Sequence, residues 1–342
     1  MNGELKIGII GCGAIGKDHC RRIINNTPGA TVVAVGDYFA KAADDTAALY
    51  GIRSYGNDCD AVIADPEVEA VVITTSDPTH YAYSMKTLEA GKWCFCEKPL
   101  AQTAADCEAL FKKELTFGKR KLQVGFMRHY DRGYAEMKRI IDSGEIGRPL
   151  LIKAAHRNVS QPPGFKTEQG VTNVCIHELD ICRWLLSDEY EDGQVIKVRQ
   201  TVNSTEYENP QVVLLRTKKG CFIDVEVQVA DGYGYDIQCE VVCENGTVKL
   251  PDPYSVVRRS RPDPNKLPGA NMPILVDWKD RFIEAYDIEF SEWVASVHAG
   301  RLTGPSAWDG YAACVAADAL NASRGTSQFK KIEMMKKPAL YD

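Results

Sequence analysis

What this chain of 342 residues lacks narrows its role before any motif is read. No apolar run approaches the roughly 18 residues a membrane-spanning helix needs, so no span is expected. Basic residues never exceed three in a row, at Lys119-Arg120-Lys121, and the net charge is −6. A nucleic acid or an anionic bilayer would therefore meet no concentrated positive field. The opening MNGELKIGIIGCG has no cationic region followed by a long apolar core and a small-residue cleavage site, which leads to the expectation of a cytoplasmic chain. The C-x-C of Cys94 and Cys96 sits in an apolar strand without the second pair a zinc site would need, and no other His, Cys, Asp or Glu cluster has ligand spacing. No metal is expected. Internal repeats and low-complexity tracts are missing as well.

What is there is an ordinary globular composition, 44% hydrophobic and 26% charged, in a chain longer than the roughly 250–300 residues at which single cores stop growing. Two domains are the natural expectation. The 12 cysteines read as reduced, mostly buried thiols. From Lys6 to Val124, the runs KIGII, TVVAV, AVVIT, KWCFC and LQVGF alternate with helical stretches after Ala14, Phe39, Thr79 and Thr103. That alternation predicts a doubly wound α/β fold of Rossmann type, a parallel sheet with right-handed crossovers, over 1–124. Beyond 125 the texture changes. LLIKAAHRN, QVIKVRQTV, QVVLLRT, CFIDVEVQV, YDIQCEVV and TVKL read as strands, with turn signals at 218–220 and 244–246, and predict a second α+β domain over 125–342 with a large, mostly antiparallel open sheet. Two long helices are expected near 280–298 and 306–323, and a proline-rich loop at 262–273.

Gly11-Cys12-Gly13-Ala14-Ile15-Gly16 follows a strand and opens a helix, and Asp37 ends the next strand about 20 residues on. Gly11 allows the tight turn, Gly13 lets the backbone approach a pyrophosphate, and Gly16 permits close helix packing. The helix N-terminus would meet the phosphate charge. Asp37 would accept hydrogen bonds from an adenosine ribose and repel a 2′-phosphate, and Tyr38 and Phe39 follow it with no arginine nearby; NAD is therefore the expected cofactor, preferred over NADP.

Lys98 stands in Cys96-Glu97-Lys98-Pro99, past the carboxyl end of the strand KWCFC, where ligands of such sheets bind. A lysine beside the nicotinamide cation, partly desolvated, would have its pKa lowered and could share a proton with a substrate hydroxyl. A second feature is GVTNVCIHELDICRWLL at 170–186. As a helix it is apolar nearly all round, yet Asn173, His177 and Asp180 recur at spacings of four and three and share one face, continued by Trp184. Burying an amide, an imidazole and a carboxylate is costly unless each has a partner, so the stripe faces an internal network or a polar ligand. His156 and Asn158, two apart in LLIKAAHRN, share a sheet face and suit a ligand needing several hydrogen bonds.

GIIGCGAIG, the loop Ser76-Asp77-Pro78-Thr79-His80, EKP, GFMRHYD and CIHELDICRWLL together resemble the Gfo/Idh/MocA family of oxidoreductases. AAHRN at 154–158, GYGYDIQCE at 232–240, KLP at 249–251, DWKDRFIEAYDIE at 277–289 and GPSAWDGYAA at 304–313 resemble its branch acting on inositols, so the likeness runs over essentially the whole chain. It implies that NAD⁺ takes hydride from an inositol ring carbon as a base takes the hydroxyl proton, giving the 2-keto product. Lys98 would hydrogen-bond the reacting hydroxyl and His177 would be the general base, with Asp180 able to orient its ring. Ala14, Ile15, Tyr38, Ser76, His80 and Glu97 would join the glycines, Asp37 and Lys98 around the cofactor. Arg128, His156, Asn158, Asn173, His177 and Tyr235 would line the substrate. His80 is expected to pack near the nicotinamide, while His19, His129 and His298 carry no expectation beyond the fold.

In the family's inositol enzymes the position four residues before the histidine is usually aspartate, which completes a catalytic set of lysine, aspartate and histidine; here Asn173 takes that place beside Lys98 and His177. An amide is neutral, donates as well as accepts, and cannot raise the basicity of His177 as a carboxylate would. Chemistry should survive, while preference between myo- and scyllo-inositol is open. The resemblance further implies a homotetramer built on the second domain. Another sugar or polyol dehydrogenase of the family, or an NAD-binding sensor without turnover, are the alternative readings.

Overall fold

Short apolar runs build the first sheet: β1 (Leu5–Ile10), β2 (Ala30–Gly36), β3 (Arg53–Ser54), β4 (Ala70–Ile73), β5 (Trp93–Glu97) and β6 (Leu122–Gly125), in the order β3-β2-β1-β4-β5-β6. Every pairing is parallel. Strands β4, β5 and β6 are buried at every residue, as a sheet covered on both faces requires. The crossovers are α1 (Ala14–Asn26), α2 (Ala40–Tyr50), α3 (Cys59–Ala64), α4 (His80–Glu89) and α5 (Ala104–Leu115). Their ends follow side-chain chemistry: Asp58 and Thr103 cap α3 and α5 by accepting the Ala61 and Asp106 N–H groups, and Gly51 ends α2 in the left-handed conformation. The doubly wound reading holds. Strand β3 and helix α3 were not expected, because two residues cannot display an alternation and six barely complete a helical period.

The computed structural model describes residues 3–204, 206–251 and 277–342; the proline-rich loop expected at 262–273 lies outside the described residues. After α6 (Arg132–Ser143), the second sheet is formed by β7 (Pro149–Arg157), β8 (Tyr190–Lys197), β9 (Gln211–Thr217), β10 (Phe222–Gln228), β11 (Asp236–Cys243), β12 (Thr247–Lys249) and, near the end of the chain, β13 (Lys330–Lys331). Its order is β12-β11-β7-β10-β9-β8-β13. Only β7 and β10 pair in parallel; the other pairings are antiparallel, as expected. Along β9 and β10 buried residues alternate with more exposed ones, the period-two signature of a sheet with one covered face. Strand β8 ends at Lys197, short of the run QVIKVRQTV.

The stretch at 170–186 is not one continuous helix. Gly170–Val174 form a π-type turn, with the Cys175 N–H reaching back to the Gly170 carbonyl, and α7 runs only from Ile176 to Leu186. Asn173 therefore precedes α7 on a wider turn, and a face drawn at 3.6 residues per turn does not pass through it unchanged.

Helices α8 (Trp278–His298) and α9 (Ala307–Ser323) lie close to their expected limits. The chain groups into two compact units: Met1–Tyr130 with Glu284–Asp318 and Glu333–Asp342, and Asp131–Ile283 with Ala319–Ile332. The first unit thus takes in much of both C-terminal helices. The reason is packing: Phe290, Trp293, Val294 and Val297 share one core with Leu5, Ile7, Ile23, Val32 and Phe95.

All 12 cysteines are buried and unbridged. Burial pushes the Cys12 thiol up to about 11, and Cys20 and Cys221 to about 12. Because the thiolate is the nucleophile, the native protein should consume almost no aromatic disulfide reagent at neutral pH and release the full complement of thiols after denaturation. Rapid reaction of several thiols in the native state would contradict the burial described.

Candidate active site

In the first unit the glycine loop does what its spacing predicts. Gly11 has φ +102°, and a Cβ there would lie 2.6 Å from the Thr74 carbonyl. At Gly16 a Cβ would stand 1.9 Å from the Gly11 carbonyl oxygen, so only glycine lets α1 pack this closely. Gly13, by contrast, faces open space, with nothing within 4 Å of a Cβ built on it, and no side chain caps α1 there. Gly13 and Ala14 are exposed and Ile15 half-buried. An accessible helix N-terminus without a side-chain cap is what a pyrophosphate requires.

Asp37 follows β2. Its Oδ2 accepts the Cys12 N–H at 2.6 Å and its Oδ1 the Phe39 N–H at 2.7 Å, which fixes the carboxylate against the glycine loop. Each oxygen keeps acceptor capacity for ribose hydroxyls. Tyr38 is 82% and Phe39 70% exposed, an apolar pair beside that carboxylate. Exposed Ser76 opens the turn Asp77–Thr79, and its carbonyl accepts the Thr79 N–H. These residues fit a dinucleotide.

Lys98, half-buried, follows β5, and the Lys98–Pro99 peptide bond is cis. Glu97 is buried; its Oε2 accepts the Lys98 N–H at 3.2 Å and its Oε1 lies 2.8 Å from His19 Nε2. His80 is 1% exposed, with Nδ1 2.7 Å from the Pro99 carbonyl and Nε2 3.1 Å from that of Thr75. Arg128 is fully buried in the turn Met127–Tyr130.

In the second unit the sequence-predicted rings come together. His156, near the end of β7, lies 5.9 Å from His177 and 5.7 Å from Tyr235 between ring centroids, the latter edge to face. All three are buried. His156 Nδ1 lies 2.9 Å from Glu178 Oε2, and an ionised carboxylate only accepts, so Nδ1 carries the proton. Asn158, one residue beyond β7, donates its N–H to Gln228 and accepts that of Asp231 through its carbonyl. Its buried side-chain Oδ1 has no hydrogen-bond partner, an acceptor suited to a hydroxyl donor. Asn173 is half-buried and Asp180 buried.

Two residues escaped sequence reasoning. Glu178 pairs with a histidine 22 positions away, and His19 with a glutamate 78 positions away. Neither contact has a local signal, although His19 stands two residues after Lys17 on the helix that the glycine loop opens.

The oxidoreductase family model for an NAD-binding Rossmann fold matches residues 5–126, and the model of the same family's C-terminal α/β domain matches 138–334. An inositol 2-dehydrogenase of Klebsiella pneumoniae is 48% identical over 341 residues, 99% of each chain. One of Burkholderia vietnamiensis is 47% identical, over 98% of this chain and 99% of its own. Among solved structures, myo-inositol dehydrogenase from Lactobacillus casei in complex with NAD(H) and myo-inositol is 36% identical with a TM-score of 0.92, covering 99% of this chain and 100% of that one. With both family models matched in order and an open glycine loop backed by Asp37, this chain belongs to the Gfo/Idh/MocA oxidoreductases and is an NAD-dependent enzyme of that family.

Proposed function

We propose that the enzyme is an inositol 2-dehydrogenase, oxidising myo-inositol, scyllo-inositol or both to 2-keto-myo-inositol. The observation that carries this reading is likeness over the entire chain to an enzyme holding NAD(H) and myo-inositol, at 36% identity. The clustered rings of His156, His177 and Tyr235, with the open acceptor of Asn158, support a ligand rich in hydroxyl groups.

Bound NAD⁺ supplies the hydride acceptor, so the chain's own task is positioning and proton management. His177 takes the proton of the reacting hydroxyl as the ring carbon becomes a carbonyl. Lys98 donates a hydrogen bond to that oxygen and stabilises the negative charge that builds on it. His156, its Nδ1 proton held by Glu178, offers Nε2 to a neighbouring hydroxyl. Tyr235, Asn158 and Arg128 complete the set of polar contacts, and Asn173 reads a hydroxyl beside the reacting one.

Both isomers yield the same ketone and differ in whether the reacting hydroxyl is axial or equatorial. A residue that donates as well as accepts distinguishes the two differently from a carboxylate. Wild type should reduce NAD⁺ with at least one of the isomers, and Asn173→Asp should move the ratio of their kcat/KM values by about tenfold or more, about 1.4 kcal/mol. An unchanged ratio would remove Asn173 from isomer selection. No reduction with any cyclitol, but turnover with an aldose, would transfer the assignment to another branch of the family. The homotetramer remains part of this proposal, checked by light scattering on the eluting protein. Among the described residues no helix is long and apolar enough to cross a membrane.

A further inference from the structure

Two histidines flank the Lys98 segment in the first unit, and their partners dictate different proton counts. His19 is completely buried on α1, with Nδ1 2.9 Å from Arg22 Nη1 and Nε2 2.8 Å from Glu97 Oε1. A guanidinium can only donate, so Nδ1 must accept and the single proton resides on Nε2, donated to Glu97. Arg22 is itself held by Asp18 at 2.7 Å and Asp287 at 2.7 Å, which keeps its charge facing the imidazole. Phe95, Tyr286 and Phe290 enclose the ring. Burial, opposed by Glu97, holds His19 below the usual histidine range.

His80 presents the opposite case. Both nitrogens face carbonyl oxygens, of Pro99 and Thr75, and a carbonyl can only accept. A neutral ring would aim a lone pair at one of them, so both nitrogens must donate and the ring is an imidazolium. Burial alone would oppose that charge; the Pro99 carbonyl and Asp77 act against the burial, and His80 is raised above the usual histidine range.

We propose that Lys98 is set in place by these two buried histidines in opposite protonation states: neutral His19 orients the Glu97 carboxylate that accepts the Lys98 N–H, and cationic His80 ties the Pro99 carbonyl to that of Thr75. One holds the residue before Lys98 and the other the residue after it, so neither its backbone nor the root of its side chain can drift. Glu97 is buried and packs its carboxylate against Gly125, where a Cβ would lie 3.0 Å from it. Both histidines are positioning residues. Their role in turnover rests on Lys98 bonding the reacting hydroxyl, whereas their proton counts do not.

Neutron diffraction from deuterated crystals grown at about pH 8 tests the proton counts directly, above the ordinary histidine value of about 6.5, where an unperturbed ring is neutral. Deuterium is expected on both nitrogens of His80 and only on Nε2 of His19. One deuteron on His80, or two on His19, would overturn the proposal whether or not the protein oxidises inositol. In kinetics, His19→Gln and His80→Gln should each lower kcat by up to about 100-fold, the effect of a misplacement near 1 Å. In His19→Gln the Kd for NADH should stay close to the wild-type value. Equal losses in NADH binding and kcat in that variant, or undiminished kcat in both, would refute the positioning role. Should a variant fail to fold, the wild-type crystal still decides the proton counts on which the proposal stands.

Discussion

His177→Ala should turn over inositol about 10²- to 10⁴-fold more slowly than wild type, the range that a positioned general base contributes. His177 is buried beside His156, whose ring Glu178 holds, so the deletion removes the proposed proton acceptor from an ordered cluster and leaves its neighbours. The loss should appear in kcat and kcat/KM together, because a base acts on the transition state, while the Kd for NADH stays unchanged. The same reasoning gives Lys98→Ala a loss of about 10²- to 10³-fold, typical of deleting one donor to a developing oxyanion. Lys98→Arg should fall between, since the guanidinium donates but cannot release its proton. Activity within a few-fold of wild type in both alanine variants would end the proposed proton chemistry, and tight NADH binding without any polyol oxidation in wild type would favour a sensor.

The second large effect concerns stability. Trp293→Ala is expected to cost about 3–5 kcal/mol in chemical denaturation of the first unit. Trp293 is fully buried on α8, with its ring 5.4 Å from Phe95 of β5 and 5.9 Å from Phe290. It belongs to the core formed with β1, β2 and α1, so truncation opens a cavity beneath the parallel sheet and not at a peripheral helix. Trp293→Phe keeps most of the apolar volume and should cost markedly less. A loss under about 1 kcal/mol for the alanine variant would mean that the core closes over the gap.

The glycine loop was legible because its requirements are local: a positive φ at Gly11, a close contact at Gly16 and open space at Gly13 each belong to one turn. The alternation of strands and helices was legible for the same reason, since side-chain direction repeats every two residues in a strand and every 3.6 in a helix. The ring cluster of His156, His177 and Tyr235 was reachable only through resemblance to a family, because the three lie on β7, on α7 and just ahead of β11. The π-type turn at Gly170–Val174 was not legible; one additional residue in a turn leaves an apolar pattern nearly unchanged while rotating what precedes it.

The amino-acid sequence by itself determined the two sheets, the cofactor loop and the residue types available for proton transfer, because periodicity and turn chemistry act over a few neighbouring residues. Only the tertiary structure decided which buried faces meet: that α8 packs under the first sheet, that Glu178 serves His156, and that His19 and His80 bracket the Lys98 segment. A hydrophobic stripe states that a face must be covered, and a buried charge states that it must be paired. Neither names a partner dozens of positions away, and that choice is made when the whole core closes.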